Sequence, residues 1–168
     1  ILYDNEDFGN AALAYDRIVS EFSDKPLVAT AALQAGVARF KMKQYQEAYS
    51  RFDQVPATSE VRRYVGLWKG LCLRDAGRLP EARTVFAAAF TEAGDTPLAA
   101  EIMFHRAQLE AMDNKNDVAA QMYLDLTARW PQDVKVPVSL FNAAELHMES
   151  QQLDAAQGVL NQLETDFP

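Results

Sequence analysis

Two histidines, His105 and His147, one cysteine, Cys72, and a surplus of carboxylates are the side chains here that could do chemistry. A metal site needs His, Cys, Asp or Glu at ligand spacing, and neither histidine has a second His or Cys so placed. Cys72 lies between Leu71 and Leu73, where it reads as a small buried hydrophobe. A nucleophilic role would require an adjacent base that the sequence does not supply. Asp16 with Glu21, or Glu145 with Glu149, could form an acid and base couple. At helical spacing, without a pocket to shift a pKa, such pairs read as solvated charge. Neither a glycine-rich phosphate loop nor a nucleophile elbow is present. The expectation is a protein without catalytic residue, cofactor or metal.

The balance of charge narrows the partners. Sixteen basic residues face 24 acidic ones, for a net charge of -8 in 168 residues. Nucleic acid is disfavoured, because phosphate contacts need clustered Lys and Arg. The longest uncharged apolar run, Val85 to Phe90, is far too short to cross a bilayer, so this segment is expected neither to insert in a membrane nor to carry a signal peptide. A single cysteine rules out an internal disulfide and leaves the redox compartment open. Ile1-Leu2-Tyr3 reads as the tail of a helix, so the chain is expected to be a fragment of a longer protein.

The elements that would position any surface are set by an internal repeat. Its clearest copy runs Gly36, Tyr45, Ala48, Phe52, Val55. It recurs as Gly70, Leu79, Ala82, Phe86, Ala89, and as Ala144, Leu153, Ala156, Leu160, Leu163. A weaker copy is Ala107, Asn116, Ala119, Tyr123, Leu126, and a partial one begins at Phe8, Ala11, Tyr15, Ile18. The alanines 11, 48, 82, 119 and 156 stand 37, 34, 37 and 37 residues apart. That period belongs to helical solenoids, whose helix pairs bury their apolar faces only by stacking.

The order small residue, aromatic, Ala-x-x-x-Phe and closing Pro resembles the tetratricopeptide repeat over nearly the whole chain. The resemblance implies an all-α, right-handed superhelical solenoid of antiparallel helix pairs. About four and a half repeats are expected in a single array over 1–168: a partial one over 1–26, then 27–57, 58–95, 96–132 and 133–168. The first helix spans Phe8 to Phe22, with Ser23 or Asp24 capping the next helix and Pro26 opening it. Pairs follow at Leu27–Met42 with Tyr45–Val55, Thr58–Ala76 with Leu79–Phe90, Pro97–Met112 with a helix ending near Arg129, and Val134–Ser150 with Gln152–Asp166. Gly77 suits a left-handed turn, and Thr96 should cap the helix that Pro97 begins.

The recurring residues have packing roles. Gly36, Gly70, Ala107 and Ala144 are small where the two helices of a pair approach, while Tyr45, Phe52, Phe86 and Tyr123 fill the gap between repeats. Arg39, Leu73, Glu110 and His147 stand where the family usually has a tyrosine. Lys43, and Asn114 or Lys115, replace a common turn glycine. His147 therefore reads as a packing residue.

In this family the first helices line a concave face that binds peptides or partner helices. Carried across by motif, the groove would comprise Leu33, Val37 and Phe40; Tyr64, Leu67 and Leu71; Phe104 and Gln108; and Phe141, Glu145 and Met148. Lys41, Arg74, Glu101 and Glu149 would stand on its flanks. Several of these could instead be buried against neighbouring helices. Leu33, Leu67, Phe104 and Phe141 replace the lysines and asparagines that clamp acidic chaperone tails, so that clamp is not expected.

The implied function is a non-catalytic scaffold for a protein or peptide partner. Trp130-Pro131, Phe167-Pro168 and the stretch Ser139 to Leu146 are similar to tetratricopeptide proteins of the bacterial envelope, of the outer-membrane assembly lipoprotein and Tol-Pal coordinator kinds. This implies a periplasmic or outer-membrane-associated location, with a cytoplasmic one as the alternative. Two other readings remain: a docking region of an enzyme whose catalytic domain lies outside this segment, and self-association through the end repeats.

Overall fold

The apolar stripes become helices, which the computed structural model describes over residues 7–22 and 27–167. Nine α-helices and one 3-10 segment make up the described residues, and no strand occurs among them. They are α1 (Phe8–Glu21), α2 (Leu27–Lys41), α3 (Tyr45–Asp53), α4 (Val65–Asp75), α5 (Leu79–Ala93), α6 (Pro97–Met112), α7 (Asn116–Arg129), α8 (Val136–Glu149) and α9 (Leu153–Asp166). The expected roles of Ser23, Asp24 and Pro26, like those of Ile1-Leu2-Tyr3 and Pro168, lie outside the described residues. Residues 1–88 and 89–168 form two compact units, with the boundary inside α5.

In the first unit α1 packs on α2, α2 on α3, and α4 on the hairpin of α2 and α3. Ala32, Leu33, Ala48, Phe52, Val55, Val65 and Cys72 form the core there. The two glycines explain the closeness of the helices. A β-carbon at Gly36 or Gly70 would stand within 3.0 Å of the ring of Phe52 or Phe86 respectively. Each ring thus occupies the volume that its glycine leaves open.

In the second unit α6, α7, α8 and α9 pack in succession. Their shared core includes Ala107, Ala119, Tyr123, Leu126, Leu140 and Ala144, with Leu160 and Leu163 against it. Ala48, Ala82 and Ala119 are fully buried and Ala156 is 2% exposed, as the packing pattern requires. Leu153, by contrast, is 69% exposed, although it occupies the position of Tyr45 in the repeat.

Four helix hairpins turn in one way. The backbone N–H groups of Gln44, Arg78, Lys115 and Gln152 donate to the carbonyls of Arg39, Leu73, Glu110 and His147 at 2.8–3.0 Å. This pattern places one residue of each turn in the left-handed region. Those residues are Lys43 (φ 61°), Gly77 (φ 77°), Asn114 (φ 56°) and Gln151 (φ 60°). Asn114, not Lys115, therefore takes the place of the usual glycine.

Two local expectations change. Thr58–Ala76 is not one α-helix: Glu60–Tyr64 is a 3-10 segment and α4 starts at Val65. Arg62 donates to the Val55 carbonyl at 2.9 Å and Ser59 Oγ to that of Pro56 at 2.8 Å, tying the segment to the end of the previous pair. Thr96 does precede Pro97 at the start of α6, but its side chain makes no cap. Its hydroxyl instead donates backwards to the Ala93 carbonyl at 3.0 Å.

Candidate protein-binding surface

In the first unit, the first helices of the pairs supply a mostly covered face. Leu33, Leu67 and Leu71 are each 6% exposed, so they belong to the core rather than to an open groove. Leu33 shares its core with Val65 and Cys72 of α4, a packing that a linear pattern does not reveal. Val37 and Phe40 are half-buried. Phe40 meets Trp68 edge-on, with ring centroids 5.5 Å apart. Tyr64 is exposed, and the Arg63 guanidinium lies 5.3 Å from its ring centre.

The second unit is more open. Phe104 is half-buried and packs edge-on against His105 and Tyr123, at 5.7 and 5.5 Å between ring centres. His105 bridges two neighbours: Nδ1 is 2.8 Å from the Gln108 amide oxygen and Nε2 is 3.1 Å from Glu101. The Glu101 carboxylate also pairs with Lys135. The hydrogen bond from His105 is the main cause holding the Glu101 carboxyl down at about 2, with Lys135 adding to it against the opposing effect of burial. Gln108 is therefore held within a polar network. Phe141 and Met148 are 47% and 45% exposed, and Glu145 beside them is exposed too.

The side chains that could have done chemistry are placed for structure. Cys72 is 1% exposed, and burial pushes its thiol up to about 12. His147 is half-buried, with Nδ1 2.6 Å from the Gln152 amide oxygen. Asp16 is not solvated surface charge. It pairs with Arg39, and with Arg51 at 3.3 Å, joining α1 to α2 and α3. Its sequence neighbour Glu21 pairs with Arg17 at 2.6 Å, while Glu149 accepts from Asn116 at 3.0 Å. No cluster of three or more potential metal ligands occurs among the described residues, and no described helix is long and apolar enough to cross a membrane.

The sequence reading missed Trp68, which packs on both Phe40 and Phe52, and the segregation of charge. Residues 1–88 carry 12 Lys and Arg against 11 Asp and Glu, whereas residues 89–168 carry 4 against 13. Counting by halves would have exposed this.

Helix hairpins with a small residue facing a ring define an all-α repeat fold of the tetratricopeptide-like class. Residues 69–134 match the family model described as tetratricopeptide repeat. The fold is shared with the crystal structure of nearly identical tetratricopeptide-like repeats of a putative kinesin light chain from Podospora anserina. The match has a TM-score of 0.77 and 14% identity, covering 98% of this chain and 89% of that one. A point variant of those repeats matches with the same values. No curated protein matches the chain. Tetratricopeptide repeats generally mediate contacts between proteins, and this scaffold is generally non-catalytic.

Proposed function

We propose that this chain is a non-catalytic scaffold that binds a segment of a partner protein on the first-helix faces of its repeats. The observation that carries the reading lies within the second unit, where Phe104 is half-covered and Phe141 and Met148 are exposed. Large apolar side chains grouped at a surface mark contact sites more often than they stand idle. Gln108 and Glu145 would belong to the same face of the second unit, and Val37, Phe40 and Tyr64 to the corresponding face of the first, where Leu33, Leu67 and Leu71 are core. The 34–37-residue recurrence supports reading the whole chain as one array, here part of a complex in a bacterial cell envelope, periplasmic or attached to the outer membrane.

Capture of partners from an envelope extract by the wild type, Phe104→Asp and Phe141→Asp tests this. Loss of the same partner from both folded variants is expected. Equal recovery from all three would reject the surface.

A further inference from the structure

We propose that a cleft between α2 and α3 of the first unit binds a small phosphate-bearing anion through Arg39 and Arg51, two guanidiniums that share one carboxylate. That carboxylate, Asp16, has a counterpart one repeat later. Aligning Ala11 with Ala48 puts it at Asp53, which pairs with a single cation, Lys69. Asp16 pairs with two, Arg39 and Arg51. One cation suffices to tie such a carboxylate to the next helix, so the second exceeds the structural need. Its position sets it apart too: the other repeats have Ala14, Val85, Met122 and Val159 in the place of Arg51. Arg39 likewise stands where later repeats have Leu73, Glu110 and His147.

The two guanidiniums are unequally held. Arg39 donates to Asp16 Oδ2 and, through Nη1, to the Ala35 carbonyl at 3.2 Å. Arg51 Nε stands 3.3 Å from Asp16 Oδ1, which is buried and accepts no hydrogen bond. Arg51 Nη1 donates to the Gln54 amide oxygen at 3.0 Å, which leaves the NH2 group of that amide as a donor. Nε of Arg39 and Nη2 of Arg51 have no acceptor among the described residues.

Both arginines line one cleft of about 360 Å³ with Gln46, Glu47, Ser50 and Gln54, every one of them polar. A planar carboxylate is filled by one bidentate guanidinium, whereas a phosphate presents three acceptor oxygens and takes donors from several directions. Two guanidiniums and the amides of Gln46 and Gln54 supply such a set, while the Ser50 hydroxyl is engaged by the Gln46 carbonyl at 3.1 Å. Glu47 is the one acidic residue in the lining, and it is exposed, where water and salt screen it.

Isothermal titration calorimetry with inorganic phosphate, glycerol 3-phosphate and acetate tests the proposal. Both phosphates should bind saturably, and acetate about tenfold more weakly or not at all. Arg51→Met leaves Arg39 on Asp16 and introduces the side chain that a later repeat has at 122, so the fold should persist. It should weaken glycerol 3-phosphate about tenfold without lowering the thermal midpoint in phosphate-free buffer. Glu47→Gln should tighten binding severalfold, and it decides the matter if Arg51→Met does not fold. Absence of saturable phosphate binding, equal binding of acetate, or indifference to both variants would overturn the proposal. Vesicles containing phosphatidic acid separate two sources of the same group: co-sedimentation that glycerol 3-phosphate competes away assigns a lipid headgroup, and its absence a soluble ester. Phe104 and Phe141 are untouched by these variants, so the protein-binding surface stands or falls separately.

Discussion

Gly36 on α2 faces the ring of Phe52 on α3 so closely that a single added methyl would stand within 3.0 Å of it. Because the ring is fully buried, it has little room to retreat. Gly36→Ala is expected to destabilise the protein by about 1–3 kcal/mol, the usual cost of overpacking. Phe52→Leu should restore part of that loss when combined with it, since Ala144 with Leu160 is the same combination in the last repeat. Urea denaturation of both single variants and the double variant measures the coupling, and additive losses would contradict it.

Lys43 and Gln151 hold left-handed backbone conformations that glycine adopts without a side-chain penalty, as Gly77 does in the equivalent turn. Lys43→Gly and Gln151→Gly should each raise stability by about 0.5–1 kcal/mol, the left-handed strain relieved exceeding the added chain entropy. Thermal unfolding reports the change. Asn114→Gly should gain less, because asparagine tolerates this region.

The Glu101 carboxyl, lowered from its ordinary 4.5 to about 2, links acid to the stability of the second unit. A group with a depressed folded pKa contributes stability that is present above its unfolded value and lost as pH falls through its folded one. Wild type should therefore lose stability between pH 4.5 and 2 more steeply than Glu101→Gln, which has no proton to take up there. Unfolding curves at several acid pH values check this, and parallel profiles would refute it.

How much of this could be read in advance depended on the range of the interaction. The recurrence of Gly36 before Phe52 and of Gly70 before Phe86 at a fixed offset was legible within one repeat. Gly77 and the fully buried alanines were legible for the same reason. That each ring fills the space at its own glycine was not legible, since the rings were expected in the gap between repeats. Asp16 was not: its partners Arg39 and Arg51 lie on later helices, and no periodic signal joins them. Among the surface candidates, Leu33, Leu67 and Leu71 have the same apolar character as Phe141. Their burial comes from tertiary packing that spacing does not encode, while Phe141 stays open. Glu60–Tyr64 escaped because the Arg62 and Ser59 side chains, not a change in apolar spacing, tighten it into a 3-10 turn.

Cys72 is the sole thiol, and it is sealed inside the first unit in a protonated state. Alkylating reagents act on thiolates that they can reach. Its labelling rate consequently counts openings around α4 and leaves fluctuations confined to residues 89–168 unrecorded. The molecule carries its own clock for one half of its breathing.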